Sequence, residues 1–245
     1  MRIPRIFTEL HLASCAELSL DERAARHLAS ALRMTVGQEI TLFNGEGGEY
    51  AAELLAVGKK GVSVKVTAHR NVERESPLHL HLAIGVSRGE RMDWIVQKAT
   101  ELGVSEITPL FTERTEVKLS GDRLDKKQQH WQQIAISACE QAQRNRVPTL
   151  HTPTHIDQWL SAGGDTAAEL KLVLHHRTAK KLSEHAPQTH ICLLVGPEGG
   201  LSDHEIDQAM AGQFQPLALG PRVMRTETAP LAAISILQSL WGDMG

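Results

Sequence analysis

The chain has 245 residues, of which 41% are hydrophobic, and a formal net charge of −3. This length allows one large domain or two ordinary ones, and the slightly acidic balance means that any nucleic-acid footprint must be a local basic patch. The three cysteines, Cys15, Cys139 and Cys192, lie far apart without a C-x-x-C pair, which argues against a zinc knuckle or a disulfide framework. No apolar stretch approaches the roughly 20 residues of a membrane span, and the amino terminus lacks a signal-peptide core. We therefore expect a cytoplasmic protein without membrane contact.

The first 70 residues alternate short β-like runs with glycine turns. Glu39–Phe43 and Tyr50–Val57 flank the hairpin turn at residues 44–48, and residues 62–67 alternate apolar and polar side chains. One helix, over residues 21–33, interrupts the strands, and its apolar face is expected to carry Ala24, Ala25, Leu28 and Leu32. The pattern predicts a small β-barrel with one helix.

The rest of the chain alternates strands with helices. The polar segment 71–77, which ends in a proline, predicts a linker, and we place the domain boundary between residues 72 and 73. The predicted strands are Leu78–Val86, Val104–Leu110, Val147–Leu150, Leu172–Leu174, Ile191–Val195 and Leu217–Leu219, and the predicted helices are Met92–Leu102, Leu124–Asn145, Ile156–Leu160, one that begins at Ser202 and one after Pro230. This alternation predicts a mostly parallel sheet with crossover helices. Periodicity alone favours a simple doubly wound sheet, because threaded chains are rare.

Two strands in the last third of the chain each end in a glycine turn. The strand 191–195 runs into Gly-Pro-Glu-Gly-Gly, and the strand 217–219 runs into Gly220. Because parallel strands end at one edge of a sheet, both turns are expected at the edge where open α/β sheets bind ligands. Ser202, followed three residues later by Glu205, predicts a capping box at the start of the next helix.

The loop 220–230 carries both basic and acidic side chains. Arg222, Arg225 and Glu227 lie between a strand end and a last helix for which Thr228 is the candidate N-cap and Pro230 suits the first turn. That helix is expected to pack on the sheet through a set of residues at helical spacing, Leu231, Ile234, Leu237 and Leu240. The three charged residues are therefore candidate site residues, and a surface loop with one ion pair is the alternative for any one of them.

Several familiar catalytic motifs are absent from the sequence. There is no G-x-G-x-x-G after a strand, no G-x-x-x-x-G-K-[ST] and no H-E-x-x-H. These absences disfavour a Rossmann-type methyltransferase or dehydrogenase and a P-loop NTPase. The 13 histidines are scattered, and we expect no metal site.

The segment LLVGPEGGLSDHEI, followed by LALGPRVMRTETAPLAAI, resembles the carboxyl-terminal signature of the RsmE family. These proteins are ribosomal RNA (uracil-N3)-methyltransferases of the SPOUT, or α/β-knot, superfamily. The resemblance extends to RIPRIF at the amino end, to KATELGVSEITPLFTERT at residues 98–115, and to a helix end at residues 140–144 that is similar to E-Q-(S/A)-x-R. It runs over nearly the whole chain.

The resemblance implies a fold and an activity. It implies an RNA-binding, PUA-like β-barrel over residues 1–72 and a SPOUT α/β-knot methyltransferase domain over residues 73–245. That domain would be a mostly parallel sheet flanked by helices, with the last helix passed through the loop near residues 196–200. The implied activity is methylation of N3 of a specific uridine in 16S ribosomal RNA, with S-adenosylmethionine as methyl donor. The implied assembly is a homodimer. The implied binding partner is ribosomal RNA within the small ribosomal subunit.

The superfamily pattern also assigns site residues. Cofactor binding is expected from the strand ends and the loops after them, at Leu174, His175, Gly196, Leu217, Leu219, Gly220, Met224 and Arg225. Catalysis is expected from Arg222, Arg225 and Glu227. An arginine against a uracil oxygen would stabilise the developing anion, and Glu227 would either accept the proton or orient an arginine. Contacts to RNA are expected from Arg2, Arg5, Arg23, Arg26 and Arg88.

Two alternatives stay open. One is an RNA-binding ribosome assembly factor without catalysis, which would have no affinity for the cofactor. The other is a SPOUT methyltransferase that acts on transfer RNA or on a ribose hydroxyl. Such an enzyme would match a different loop after the last strand.

Overall fold

A computed structural model describes residues 3–58, 61–175, 182 and 185–245 of the chain. The chain divides into two compact units. The first comprises residues 1–75 and 139–147, and the second comprises residues 76–138 and 148–245. The segment 139–147 therefore belongs to the amino-terminal unit although a long stretch of sequence separates it from residue 75.

The first unit contains a five-stranded sheet and one short helix. Its elements are β1 (Arg5–Phe7), β2 (Glu17–Ser19), α1 (Glu22–Arg26), β3 (Glu39–Phe43), β4 (Glu49–Gly58) and β5 (Gly61–Arg70). The strand order is β1-β3-β4-β5-β2, with β1 parallel to β3 and every other pair antiparallel. Ile40, Leu42 and Leu54 are fully buried in its core, as alternating strands with one covered face require.

The predicted helix over residues 21–33 is shorter and less regular than expected. Asp21 caps α1, because its Oδ1 accepts a hydrogen bond from the Ala24 N–H at 2.6 Å. The chain then continues as a π-helical turn over His27–Ala31. Leu32, which was expected on the buried face, is 42% exposed. Arg33 follows with φ of +52°, a left-handed conformation that ends the helical path.

The second unit contains the remaining elements. They are β6 (His79–Gly85), α2 (Glu90–Glu101), β7 (Glu106–Phe111), α3 (Asp122–Ala142), β8 (Thr149–Leu150), β9 (Thr154–His155), α4 (Ile156–Ser161), β10 (Leu170–Leu174), β11 (His190–Val195), α5 (Asp203–Ala211), β12 (Gln215–Leu217) and α6 (Ala229–Trp241). The last residues of α3, from Cys139 onward, are assigned to the first unit.

The sheet of the second unit is parallel throughout its described pairs. The strand order is β12-β10-β11-β6-β7-β8, and β9 pairs with β7. Ala83, Cys192 and Leu194 pack in one cluster with residues of α4 and α5. Strand alternation places Leu80 and Leu82, which are also fully buried, on the opposite face. The mostly parallel sheet with helices is therefore confirmed, and the threading of the last helix stays a prediction.

One strand boundary and one helix face near the carboxyl end differ from expectation. The last strand is Gln215–Leu217 rather than residues 217–219, because Leu217 pairs with Leu174, where β10 ends. In α6, Ile234 and Leu237 are buried, whereas Leu240 is 44% exposed.

No helix among the described residues is both long and apolar enough to cross a membrane.

Candidate active site

A cavity of about 430 Å³ opens at the carboxyl edge of the parallel sheet. Its walls come from the ends of β10 and β12, from the glycine loop after β11, from the start of α5 and from the loop that leads to α6. A volume of this size is typical of pockets for small ligands and cofactors. The two loops that end in glycine turns thus meet at one site.

The ends of β10 and β12 form part of the wall of this cavity. The His175 N–H donates to the Leu217 carbonyl at 3.0 Å, which holds the two strand ends together. Pairing stops at Leu217, so Ala218, Leu219 and Gly220 line the cavity beyond the sheet. Gly220 has φ of +93°, a conformation that favours glycine and turns the chain away from the strand.

The glycine loop after β11 is folded tightly. A Cβ added at Gly196 would lie 2.7 Å from the Leu201 nitrogen, and Gly200 has φ of +70°. A Cβ added at Gly85, at the end of β6, would lie 2.5 Å from the Pro197 ring. Glycine is therefore required at position 196 by packing inside the turn, and Gly196 itself does not line the cavity.

Arg114 closes the glycine loop from the outside. Its Nη1 donates to the Gly199 carbonyl at 2.9 Å and to the Leu201 carbonyl at 3.2 Å, and the residue lines the cavity. Arg114 was not among the site residues predicted from the sequence. The available signal was its position in the stretch 98–115 that carries the family resemblance.

The predicted capping box of α5 is confirmed, and its Glu205 makes a further hydrogen bond outside the box. Ser202 Oγ accepts from the Glu205 N–H at 3.3 Å, and Glu205 Oε2 accepts from the Ser202 N–H at 2.7 Å. Glu205 is 2% exposed, and its Oε1 also accepts from the Glu113 N–H at 2.8 Å. The start of α5 is thereby tied to the loop after β7.

Arg91 links the glycine loop to the loop before α6. Glu198 Oε1 accepts from the Arg88 N–H and from Arg91 Nη1, both at 2.9 Å. Burial raises the pKa of Glu198, but these hydrogen bonds outweigh that effect and leave the pKa below its ordinary value. Arg91 Nε also lies 3.8 Å from Glu227 Oε2. Arg91 was not among the predicted site residues either.

Most of the residues expected at the cofactor lie around the cavity. Those that line it are Leu174, His175, Leu217, Leu219, Gly220, Met224 and the expected catalytic Arg222. Gly196, Arg225 and Glu227 do not line it. Arg222 and Arg225 are both exposed, and neither guanidinium has an ion-pair partner among the described residues.

The arginines expected to contact RNA differ in their exposure. Arg2 lies outside the described residues. Arg5 is buried, because its guanidinium pairs with Glu49, so it serves the interior of the first unit rather than its surface. The other three keep more exposure: the side chain of Arg23 is 29% exposed, that of Arg26 is 71% exposed and that of Arg88 is 60% exposed.

Comparison with known families assigns both parts of the chain. The family model of an RNA methyltransferase domain matches residues 74–238, and that of an RNA methyltransferase PUA domain matches residues 20–67. The ribosomal RNA small subunit methyltransferase E of Buchnera aphidicola subsp. Schizaphis graminum is 35% identical over 245 residues, which cover 99% of this chain and 98% of that protein.

Solved structures agree with this assignment. A Legionella pneumophila protein in complex with the cofactor SAM is 42% identical, with a TM-score of 0.95 over 99% of this chain and 100% of that one. The ribosomal RNA small subunit methyltransferase E of Neisseria gonorrhoeae, bound to S-adenosyl methionine, is 38% identical, with a TM-score of 0.93 over 100% of both chains. The chain therefore belongs to the family of ribosomal RNA small subunit methyltransferase E.

Proposed function

We propose that this chain transfers a methyl group from S-adenosylmethionine to N3 of a uridine in 16S ribosomal RNA, presented within the small ribosomal subunit. The observation that carries the proposal is the cavity at the carboxyl edge of the sheet, with Arg222 in its wall, in a chain of this family. Both similar structures hold the same cofactor.

The cavity suits the cofactor chemically. Main-chain groups of residues 218–220 can hydrogen-bond an adenine edge, and Leu174, Leu217 and Ile206 give apolar walls for its faces. Glycines at positions 199, 200 and 220 let a ligand approach the backbone closely. When bound, S-adenosylmethionine supplies an electrophilic methyl group on its sulfonium.

Arg222 is the residue that we assign to the uracil. The pKa of a uridine N3–H is about 9, so its ionisation at pH 7 costs about 3 kcal/mol at roughly 1.4 kcal/mol per unit. A guanidinium against a uracil oxygen offsets part of that cost by stabilising the anion. Arg222 lines the cavity and is exposed, whereas Arg225 lies outside its wall.

Glu227 is assigned a positioning role in this proposal. Its carboxylate lies 3.8 Å from Arg91 Nε, and the same guanidinium donates to Glu198. Arg91 thus joins the loop before α6 to the glycine loop through these two carboxylates. Glu227 therefore holds the loop that presents Arg222.

Calorimetric titration with S-adenosylmethionine, followed by methyl transfer to small ribosomal subunits and mapping of the methylated base, tests this function. We expect Arg222→Ala to keep cofactor affinity within about threefold and to lose about 100-fold in transfer rate. Arg123→Ala, an exposed change on α3, is the matched control. Absent cofactor binding, with and without subunits, would favour an RNA-binding assembly factor, and a methyl group on transfer RNA or on a ribose would favour the other alternative.

The proposal includes a homodimer. The helices α2 and α6 contact each other, and both expose apolar side chains: Trp94 is 50% exposed on α2, and Ile236 is 41% exposed on α6. Exposed aromatic and aliphatic groups of this size favour a protein interface. Light scattering should show a dimer that Trp94→Glu converts to monomer. Met210→Glu, at an equally exposed methionine of α5, should leave it intact, and a monomeric wild type would refute the dimer.

A further inference from the structure

A histidine-rich cluster lies at the amino edge of the parallel sheet, opposite to the cofactor cavity. Because parallel strands also begin at one edge, side chains from distant parts of the sequence meet there. The members are His79 and His81 on β6, Glu106 on β7, His151 after β8, Asp165 before β10 and His190 on β11. A cavity of about 490 Å³ opens beside His81, Glu106, His151 and Asp165.

Two carboxylates organise the imidazoles. Asp165 Oδ2 lies 2.9 Å from His81 Nδ1 and 2.9 Å from His190 Nε2. Glu106 Oε1 lies 2.7 Å from His79 Nε2, and its Oε2 lies 2.5 Å from His151 Nε2. Each carboxylate therefore bridges two histidines that belong to different elements.

The hydrogen bonds of His81 fix its tautomer. An ionised aspartate only accepts hydrogen bonds, so His81 Nδ1, which faces Asp165, must carry the proton. In the neutral ring, Nε2 then keeps its lone pair and accepts from the Thr108 hydroxyl at 2.8 Å. This arrangement, with a carboxylate behind one nitrogen and a lone pair on the other, is the usual preparation of a metal-binding histidine.

We propose that His81, His151 and Glu106 form a binding site for a divalent transition-metal ion, most suitably Zn²⁺. One ligand atom from each of the three residues lies within 4.8 Å of the others. Zinc bonds of about 2.0 Å in a tetrahedron place ligand atoms about 3.3 Å apart, so small side-chain movements complete the site. The ion would bind His151 Nε2 and Glu106 in place of the proton between them, which would move to His151 Nδ1, and water from the cavity would take the fourth position.

The neighbouring residues support this set over the other combination that the cluster offers. His81, Asp165 and Cys192 also lie close enough to share an ion, but all three are buried. Using Asp165 as a ligand would also remove the partner that holds His81 in its tautomer. In the proposed set, by contrast, Glu106 and His151 keep 25% and 41% side-chain exposure, so an ion can enter.

The proposed ion would stabilise the sheet rather than take part in methyl transfer. It would join β6, β7 and the segment after β8 at the edge far from the strand ends that form the cofactor cavity. A ligand that binds only the folded state raises the melting temperature in proportion to the logarithm of its concentration. Binding should therefore appear in stability even when no cofactor is present.

The test is titration of the chelator-treated, dialysed full chain with ZnCl₂ by calorimetry, and with Co²⁺ by visible absorption. We expect one ion per chain with micromolar or tighter affinity, a tetrahedral Co²⁺ spectrum and a higher melting temperature. Glu106→Gln and His151→Gln should each weaken binding at least about 100-fold, a loss in the range known for disrupted metal shells. Both residues are partly exposed, so the variants should fold, and circular dichroism checks this.

His204→Gln is the matched control, because this exposed histidine lies on α5, away from the cluster. It should bind zinc as the wild type does. Equal zinc affinity in the wild type and in the Glu106→Gln/His151→Gln double variant would overturn the proposal and leave the cluster as a hydrogen-bonded network. Titration with S-adenosylmethionine reports the other site separately.

Discussion

Arg114 shapes the cavity that we propose for the cofactor through the backbone of its neighbours. Its guanidinium donates to the carbonyls of Gly199 and Leu201, and these residues form part of the cavity wall. Neither Gly199 nor Gly200 can hold the loop by side-chain contacts. The conformation of the glycine loop therefore depends on a charged side chain that comes from the loop after β7.

Arg114→Ala should weaken the binding of S-adenosylmethionine about tenfold. A net loss of about 1.4 kcal/mol is reasonable for two hydrogen bonds from an exposed charged donor. Calorimetric titration measures the effect, and Arg123→Ala supplies an arginine change without a role in the cavity. Wild-type affinity in Arg114→Ala would mean that the loop keeps its shape unaided.

Glu49 illustrates a residue whose importance the sequence does not reveal. The carboxylate pairs with the buried guanidinium of Arg5 and lies 3.3 Å from Arg74. Burial raises the pKa of Glu49, but the hydrogen bonds and charges of Arg5 and Arg74 lower it by more, so its pKa lies below the ordinary value. The motif RIPRIF at the amino end was predictable from the sequence. Its Arg5 was nevertheless predicted to contact RNA, because the residue that Arg5 pairs with, Glu49, lies 44 residues further along the chain.

Glu49→Gln should destabilise the protein by about 3 kcal/mol at pH 7, because it leaves the buried Arg5 without its counter-ion. A carboxylate whose folded pKa is depressed contributes stability above its unfolded pKa of about 4.3 and loses it as the pH falls through the folded pKa. The difference between wild type and variant should therefore shrink as the pH drops below about 4. Urea unfolding at several pH values measures it, with the exposed Glu53→Gln on the same strand as control.

At the scale of elements, the capping box of α5 is a feature that local sequence can predict. Its two residues lie three apart and interact with each other's backbone, so no distant partner is needed. The end of β12 could not be predicted in this way, because Leu174 on β10 sets where pairing stops. The start of α6 was predictable from local sequence, because Thr228 directly precedes the helix and Pro230 lies in its first turn, although the Thr228 side chain forms no cap hydrogen bond.

Ser202→Ala should cost about 1 kcal/mol of stability, the usual value for a lost N-cap. Glu205→Gln should cost more, because the buried carboxylate accepts from both Ser202 and Glu113 and an amide offers only one acceptor. Urea unfolding compares both with Asp207→Ala, an exposed change on the same helix. A smaller loss for Glu205→Gln than for Ser202→Ala would show that the bond to Glu113 contributes little.

At the scale of the whole molecule, the two units are interleaved along the chain. The segment 139–147 supplies the first unit with Arg144, whose Nε donates to Glu75 at 3.0 Å, and with Asn145, which accepts from Arg5 at 2.6 Å. Asn145 also donates to the Val72 carbonyl at 2.6 Å. Periodicity predicts a helix through this region but carries no information about these partners. The predicted boundary after residue 72 therefore placed the segment 139–147 in the second domain. The family resemblance identified the motif at residues 140–144 but did not reveal its structural role.

The amino-terminal unit should consequently fold poorly as residues 1–75 alone. Without the segment 139–147, the buried Arg5 loses the oxygen of Asn145 and Glu75 loses its arginine, a combined cost of about 3 kcal/mol that is large for so small a unit. Joining residues 139–147 to residue 75 through a Gly/Ser linker should restore cooperative thermal unfolding. The same fusion with Arg144→Ala and Asn145→Ala should not restore it. This variant has the same length, so it shows whether the contacts of Arg144 and Asn145 are responsible. Equal stability of the short fragment and the fusion would mean that the strands of the first unit suffice, and that the returning segment follows the fold rather than completing it.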